Sequence, residues 1–317
     1  MLSRTAANLF WIARYLERAE TTARLLDVGH RNALLPNTDG GLRNEWEAIL
    51  QAKGVAQRFS EKYGDPVQRN VETFLFFDLD NPSSVGACLA SARENARIVR
   101  TALTSQVWDA INTGFQEFRE MTRTERSKLP LPELTDWVTR TTALIRGAID
   151  ATQLRDDGYH FLNLGYAIER ADNTARLLDV KYYVLLPSVT YVGSGLDNYQ
   201  WTTLLRAMSA HRAYNWAYGG ELSATRIAHF LILNRALPRS LLTCAGMAAE
   251  HLEALSRGYG RSTAAQARAR ALLAGLAEAQ VEEIFDEGLH EFLTRFIGET
   301  ASLAQAVHDV YLTGEAR

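Results

Sequence analysis

Two copies of one charged phrase hold the residues best suited to chemistry in this 317-residue chain. ERAETTARLLDV begins at Glu17 and ERADNTARLLDV begins at Glu169, and ten of the twelve positions are identical. A carboxylate beside guanidinium groups can act as a general base with anion-stabilising partners, or as part of an ion-binding site. Glu17 and Glu169 are therefore the candidate catalytic residues, and Arg18 and Arg170 are candidate binding residues.

The repeated phrase fits a helix that carries its charges on one stripe. At 100° per residue, Glu17 and Glu20 line up with Arg24 and Asp27, and apolar residues flank this stripe on both sides. Three interpretations stay open: a buried ion-pair network between two halves of the chain, a ligand or catalytic site, and a solvated face. Exposed pairs contribute only about 0.2–0.5 kcal/mol each, whereas removing one partner of a buried pair costs about 3–5 kcal/mol.

A second candidate site is a face with three arginines. Arg93, Arg97 and Arg100 follow one another at i, i+4 and i+7 in SARENARIVR. The corresponding positions in the second half of the chain are Ala249, Glu253 and Ser256. Guanidinium groups recognise carboxylates and phosphates by paired hydrogen bonds, so the face predicts anion binding. A solvated basic face paired with Glu94 is the alternative.

Other chemical motifs are weak. Glu287 and His290 have the Glu-x-x-His spacing of di-iron bundles, but such bundles need two of these motifs and two further carboxylates. The sequence contains no phosphate-binding glycine loop and no Gly-x-Ser-x-Gly motif. We therefore expect no metal site and no cofactor.

The elements that must position these residues are helices. Alternating β patterns are absent, and only seven prolines interrupt a chain rich in good helix formers. The sequence predicts an all-α fold, a large multi-helix bundle. Helices are predicted at about 5–34, 44–61, 66–77, 83–101, 105–121, 134–154, 159–186, 199–218, 223–234 and 238–257, with three more within 263–312. Segments 37–41, 123–133 and 188–198 are predicted loops.

The similarity between the halves extends beyond the phrase. FLFFDLDNPSS at 74–84 aligns with FLILNRALPRS at 230–240, and at the same offset of 156 Cys88 aligns with Cys244. Trp46 aligns with Trp201. A period this long does not fit a solenoid and suggests two divergent helical repeats related by a pseudo-twofold axis. We predict a single helical domain over 1–317, with repeat halves at about 1–150 and 151–317.

The composition is that of an ordinary globular protein, with 47% hydrophobic and 22% charged residues. The net charge of −3, without a block of like charges, argues against a nucleic-acid partner. No apolar run approaches the roughly 20 residues that span a bilayer, and the charged N-terminal segment does not fit a signal peptide. We expect a cytoplasmic protein with no membrane partner, in which Cys88 and Cys244 are buried thiols.

Both Glu-Arg phrases, together with DNPSSVGACLASARENARIVR at 80–100 and AIERADNTARLLDVKYYVLLP at 167–187, make the chain resemble the bacterial alpha-E family over nearly its whole length. This helical family is named for its Glu-Arg motif, which would carry over onto Glu17–Arg18 and Glu169–Arg170. The resemblance implies partners: such proteins are typically encoded beside a circularly permuted ATP-grasp protein and a transglutaminase-like cysteine peptidase. It also implies a part in peptide or amide-bond synthesis or in peptide tagging.

Three functions follow as hypotheses. The first is a non-catalytic, accessory helical partner of an ATP-grasp amide or peptide ligase, which holds a carboxylate or peptide substrate through Arg93, Arg97 and Arg100. The second is a stand-alone helical enzyme with Glu17 or Glu169 as general base and arginines as anion stabilisers. The third is a purely structural scaffold.

Overall fold

The computed structural model describes residues 1–34, 45–124, 128–183 and 195–313 of the chain. Within these ranges the protein is built from α-helices and contains no β-strand, which confirms the all-α prediction. None of the helices in the described ranges is long and apolar enough to cross a membrane. The predicted loop at 37–41 and most of the loop at 188–198 lie outside the described residues, as do residues 125–127 of the loop at 123–133.

The helices of the first half surround the long helix α1 (Ser3–Ala33). They are α2 (Glu45–Ala52), α3 (Ala56–Tyr63), α4 (Gln68–Glu72), α5 (Val85–Ile98), α6 (Ser105–Arg123) and α7 (Leu131–Thr152). A π-helical turn, Thr73–Phe77, follows α4, and a single 3₁₀ turn, Arg100–Ala102, follows α5.

The second half is arranged around α8 (Asp157–Tyr183). Its other helices are α9 (Gly195–Ala207), α10 (His211–Tyr218), α11 (Ala224–Ile232), α12 (Leu241–Tyr259), α13 (Ala264–Glu278), α14 (Val281–Glu287) and α15 (Leu289–Val307), followed by a π-helical turn, His308–Leu312.

Two predicted helices are each broken by a turn, so the prediction of continuous helices at 44–61 and 199–218 is wrong. Gly54 (φ +69°) and Ser209 (φ +56°) adopt left-handed backbone conformations that end α2 and α9. In both turns the backbone amide that follows the left-handed residue donates a hydrogen bond back to the helix. Val55 N donates to Leu50 O at 3.0 Å, and Ala210 N donates to Leu205 O at 2.8 Å. A glycine in the sequence is compatible with such a turn, whereas no local sequence pattern predicts that a serine adopts a positive φ.

Helices α1 and α8 lie at the centre and pack against each other along their length. Helix α1 also contacts α5 and α7, while α8 contacts α12 and α15. Residues on every side of α1 are buried, from Ala6 to Asn32. A helix surrounded in this way cannot turn a charged stripe to solvent, so its carboxylates and guanidiniums must find partners inside the protein.

Matching ring clusters occur in the two halves. In the first half two stacked rings lie 5.5 Å apart at 10°, with a third ring edge-on at 5.4 Å; they belong to Phe59, Tyr63 and Phe74. In the second half the rings of Tyr214 and Tyr218 stack 5.1 Å apart at 14°, and the ring of Phe230 lies edge-on at 5.6 Å from Tyr214. These residues align at offsets of 155 and 156. The likeness favours the duplication, and the two-repeat architecture and the single domain over 1–317 stay predictions.

The crossing of α1 and α8 depends on a glycine. A Cβ atom on Gly165 would lie 2.4 Å from the carbonyl oxygen of Phe10 and 3.1 Å from the Cβ of Ala13. Backbone oxygen cannot rotate away as a flexible side chain can. Gly165 therefore sets how closely the two central helices approach.

We expect Gly165→Ala to lower the free energy of unfolding by about 1–3 kcal/mol, because overpacking outweighs the gain in helix propensity. Gly147→Ala is the matched control, since Gly147 lies within α7, is exposed and has no atom within 4 Å of the place that a Cβ would take. That control should gain about 0.5–1 kcal/mol from helix propensity alone. Urea unfolding measures both values, and an equal gain in the two variants would contradict the close crossing.

Candidate functional site

The two Glu-Arg dipeptides meet where α1 crosses α8, and each pairs with the other. Arg18 Nε and Nη2 donate to Glu169 Oε1 and Oε2 at 2.6 and 3.0 Å. In the reciprocal pair, Arg170 Nη2 donates to Glu17 Oε2 at 2.9 Å. The side chains of Glu17 and Glu169 are 0% and 2% exposed. The carboxylate of each phrase is thus neutralised by the arginine of the other phrase.

The first buried ion network, the Glu17 cluster, contains two carboxylates and four guanidiniums: Glu17, Glu20, Arg24, Arg146, Arg170 and Arg239. Besides Arg170, Glu17 accepts from Arg146 Nη2 at 2.7 Å on Oε2 and from Arg239 Nη1 at 2.7 Å on Oε1. Arg146 and Arg239 come from α7 and from the turn before α12. One carboxylate of α1 therefore holds three other parts of the chain together.

Glu20 is the second carboxylate of this cluster. Its Oε1 accepts from Arg24 Nη2 at 2.6 Å and from Arg239, and its Oε2 accepts from Arg146 Nη2 at 3.1 Å and from the Thr142 hydroxyl at 3.2 Å. Arg24 continues the network to the end of α9, where it donates to the carbonyl oxygen of Ala207. All four carboxylate oxygens of the Glu17 cluster are occupied.

The second network, the Glu169 cluster, contains Glu169, Asp172, Arg14, Arg18, Arg176 and Lys53. Arg14 Nε donates to Glu169 Oε2 at 2.6 Å, alongside Arg18. Arg176 pairs with Asp172 one turn earlier on α8, at 2.8 and 3.2 Å. Lys53 lies at the break between α2 and α3, close enough to Arg18 and Glu169 to interact with their charges.

These contacts hold both candidate bases ionised. Burial alone raises the pKa of Glu169, but the guanidiniums of Arg14 and Arg18 outweigh it and lower the pKa from 4.5 to about 2. Burial likewise opposes ionisation of Glu17, and the charges of Arg170, Arg239 and Arg146 hold its pKa well below 4.5. At neutral pH neither carboxylate carries a proton.

Beside Glu17, three buried donors have no hydrogen-bond partner in the described residues: Arg146 Nε, Arg170 Nε and the hydroxyl of Tyr166. The guanidinium of Arg146 lies 4.8 Å from the centre of the Tyr166 ring, a cation–π contact. An unmade bond at a buried donor costs about 1–3 kcal/mol. The Glu17 cluster thus has more donors than acceptors.

The arginine face of α5 lies outside both clusters. Arg93 Nε donates to Asn112 Oδ1 at 2.8 Å, and its guanidinium lies 5.0 Å from the Phe115 ring. Arg97 pairs with Glu94 on the surface at 2.7 and 2.9 Å. Arg100 lies in the following 3₁₀ turn, 4.9 Å from the Trp108 ring. The face is thus a surface of cations and aromatic rings between α5 and α6.

Sequence reasoning missed four members of the two clusters: Arg14, Lys53, Arg146 and Arg239. Arg14 precedes Arg18 by one helical turn, which is a weak signal. The other three lie on separate elements and approach α1 only in the folded chain. The spacing of these three residues in the sequence does not predict that they lie close to α1.

The other candidate residues do not form a site together. Glu287 pairs with Arg295 at 2.7 and 3.0 Å, whereas His290 Nδ1 lies 2.7 Å from Asp179 Oδ1. No group of three or more potential metal ligands occurs in the described part of the chain. Cys88 and Cys244 are buried and free, and burial raises the pKa of both thiols to about 12.

We expect Glu17→Gln to lower the free energy of unfolding by about 3 kcal/mol, because three guanidiniums would lose their charged acceptor inside the protein. Glu120→Gln is the matched control, since Glu120 pairs with Arg123 on the surface with its side chain 69% exposed. Exposed pairs contribute about 0–1 kcal/mol. Similar losses in urea unfolding for both variants would show that burial of Glu17 adds nothing.

Stability should also depend on acid pH through Glu169. Because its folded pKa of about 2 lies below the ordinary 4.5, its contribution is fully present above pH 4.5 and is lost as the pH falls through the folded value. The free energy of unfolding should therefore decrease from about pH 5 to pH 2. Glu169→Gln should show a shallower decrease in the same titration, and an unchanged slope would contradict the assignment.

One of three comparisons with known proteins found a match. A family model described as Alpha-E, a predicted alpha-helical domain with a conserved ER motif, matches residues 1–312. Searches of curated proteins and of solved structures found no match. The sequence contains three Glu-Arg dipeptides. Those at 17–18 and 169–170 pair across the central helices, and the one at 125–126 lies outside the described residues. The match spans nearly the whole chain, and the protein belongs to the Alpha-E family.

Proposed function

We propose that this protein is a non-catalytic helical partner of an ATP-grasp-type amide or peptide ligase and that it holds a carboxylate or peptide substrate for that enzyme. A transglutaminase-like protein is the second expected partner. The class of both partners comes from the family resemblance. The assignment of a non-catalytic role comes from the state of the two central carboxylates.

The observation that carries this role is that arginines pair with the buried carboxylates of Glu17 and Glu169 and keep them ionised. An efficient general base has a pKa near the working pH. With a pKa of about 2, Glu169 is too weak a base to take a proton at neutral pH. Glu17 is held in the same state by three guanidiniums. Both carboxylates are buried and each accepts three hydrogen bonds from arginines, which argues against the stand-alone enzyme.

The Glu-Arg motif then has a positioning role. Reciprocal pairs fix the register of α1 on α8, since a shift along either helix would separate both pairs at once. Buried ion pairs contribute little net stability but penalise wrong arrangements strongly. The motif would thus keep the outer helices in a fixed arrangement for a partner to recognise.

The arginine face of α5 is the proposed contact for the substrate or the ligase. Arg93 and Arg100 lie over aromatic rings of α6, a setting that keeps guanidiniums extended at the surface. The Arg97–Glu94 pair is exposed on both sides, with 59% and 51% of the side chains accessible. A solvated pair exchanges partners at little cost, so an incoming carboxylate can replace Glu94.

The test uses the purified chain with the ATP-grasp ligase expected as its partner. The two proteins should form a complex in size-exclusion chromatography with light scattering, and ATP-dependent amide formation should require both. Arg93→Glu combined with Arg97→Glu should lower turnover by at least about tenfold, because the reversed charges repel the carboxylate. Circular dichroism should show unchanged helicity.

The matched control is Arg119→Glu combined with Arg123→Glu. Both residues are exposed on α6, and Arg123 pairs with Glu120 as Arg97 pairs with Glu94. This control should leave turnover within about twofold of the unmodified protein. Full turnover without the chain would favour the scaffold, and ATP hydrolysis by the isolated chain would favour the enzyme.

A further inference from the structure

The Glu169 cluster holds more positive than negative charge. Its cations are Arg14, Arg18, Arg176 and Lys53, and its carboxylates are Glu169 and Asp172. Four cations against two carboxylates leave a formal excess of two positive charges when Lys53 is protonated. The Glu17 cluster has the same formal excess, but only the Glu169 cluster includes an ammonium group, and this group has no acceptor among the described residues. The next acidic residue on α8, Asp179, is engaged by His290. Excess charge in a half-buried site is unfavourable unless an anion joins it.

Lys53 is the member of this cluster whose ammonium group has no hydrogen-bond acceptor among the described residues. Among the described residues its ammonium makes no hydrogen bond and no ion pair, although Arg18 and Arg176 both add positive charge nearby. Burial and these two arginines lower the pKa of Lys53 to about 8. The side chain is half-buried, so the fold holds a lysine where its charge is disfavoured.

The turn itself does not require a lysine. The equivalent turn between α9 and α10 has Met208 at the position of Lys53, and the Met208 side chain is buried. In that turn Arg24, the counterpart of Arg176, donates to the backbone of Ala207. The two turns share their helix-ending hydrogen bonds. The ammonium of Lys53 is therefore an addition to a turn that forms without it.

A small ligand can reach these cations. The side chains of Arg14, Arg18 and Arg176 are 15%, 20% and 29% exposed. Arg176 binds Asp172 through Nε and Nη2, while its Nη1 lies 4.0 Å from the Cβ position of Gly54, beside Lys53. The third nitrogen of this guanidinium thus lies at the same turn as the lysine.

We propose that Lys53, Arg18 and Arg176 form a binding site for a dianionic phosphate group. The two negative charges of this group would balance the two excess positive charges of the Glu169 cluster, whereas a monocarboxylate would leave one positive charge uncompensated. Guanidinium groups bind phosphate oxygens in pairs, and a lysine contributes a compact point charge. This site is separate from the arginine face of α5 and does not depend on the ligase partnership.

The experiment titrates inorganic phosphate, O-phosphoserine and acetate into the full chain at constant pH 7 and constant ionic strength, by calorimetry and by thermal unfolding. Phosphate should bind and raise the melting temperature, and acetate should bind at least about tenfold more weakly. Tighter binding of O-phosphoserine would identify a phosphate ester as the ligand, and tighter binding of inorganic phosphate would identify the free ion. Either result supports the site.

Lys53→Met copies the residue of the equivalent turn and removes the charge. It should weaken phosphate binding by at least about tenfold. In phosphate-free buffer it should melt no lower than the unmodified protein, because an unpaired ammonium is lost. Lys53→Arg keeps the charge and should bind phosphate within about threefold, which covers the case of a methionine variant that does not fold.

The matched control is Lys128→Met, an exposed lysine before α7 whose removal changes the net charge equally. It should leave phosphate affinity within about twofold. The proposal is overturned if the unmodified protein does not bind phosphate, if acetate binds as tightly, or if Lys53→Met and Lys128→Met behave alike.

Discussion

The structure depends on one reciprocal interaction, in which Glu17 of α1 pairs with Arg170 of α8 and Glu169 of α8 pairs with Arg18 of α1. Each dipeptide supplies both an acceptor and a donor, so the two pairs form or fail together. Their burial makes separation of either pair unfavourable. The close approach at Gly165 brings the helices near enough for these short contacts.

Around this crossing the two networks have diverged in their partners. In the Glu17 cluster, Arg146 and Arg239 reach in from α7 and from the turn before α12, and every carboxylate oxygen is occupied. In the Glu169 cluster, Arg14 and Lys53 take part instead, and Lys53 has no acceptor among the described residues. The first network joins α1 to α7, α8 and the turn before α12, whereas the second contains an ammonium group without an acceptor among the described residues. A positioning role fits the first and ligand binding fits the second.

The outer surface has a different electrostatic character from the centre. Arg93, Arg97 and Arg100 lie beside aromatic rings or a solvated glutamate, where exchange of partners costs little. The central arginines are fixed by buried carboxylates. A rigid centre with an exchangeable surface suits a protein that presents a binding face to another protein, and this contrast links the proposed partnership to the fold.

Most of the helices could be predicted from the sequence, because apolar periodicity and breaking residues are local signals. The breaks at Gly54 and Ser209 were missed: a single glycine within an apolar pattern is compatible with a continuous helix, and a left-handed serine is recognised only from its backbone. The repeated Glu-Arg phrase likewise marked Glu17, Arg18, Glu169 and Arg170 as a set.

The sequence by itself determined the helical class, the family and the central residues, since these depend on composition, periodicity and a repeated motif. Only the tertiary structure decided the partners of those residues. Arg146 and Arg239 are distant from Glu17 in the chain and reach it through helix packing, and the unsatisfied position of Lys53 follows from where the turn after α2 meets α1 and α8. Pairing in space is set by the relative placement of whole helices, which no local pattern records.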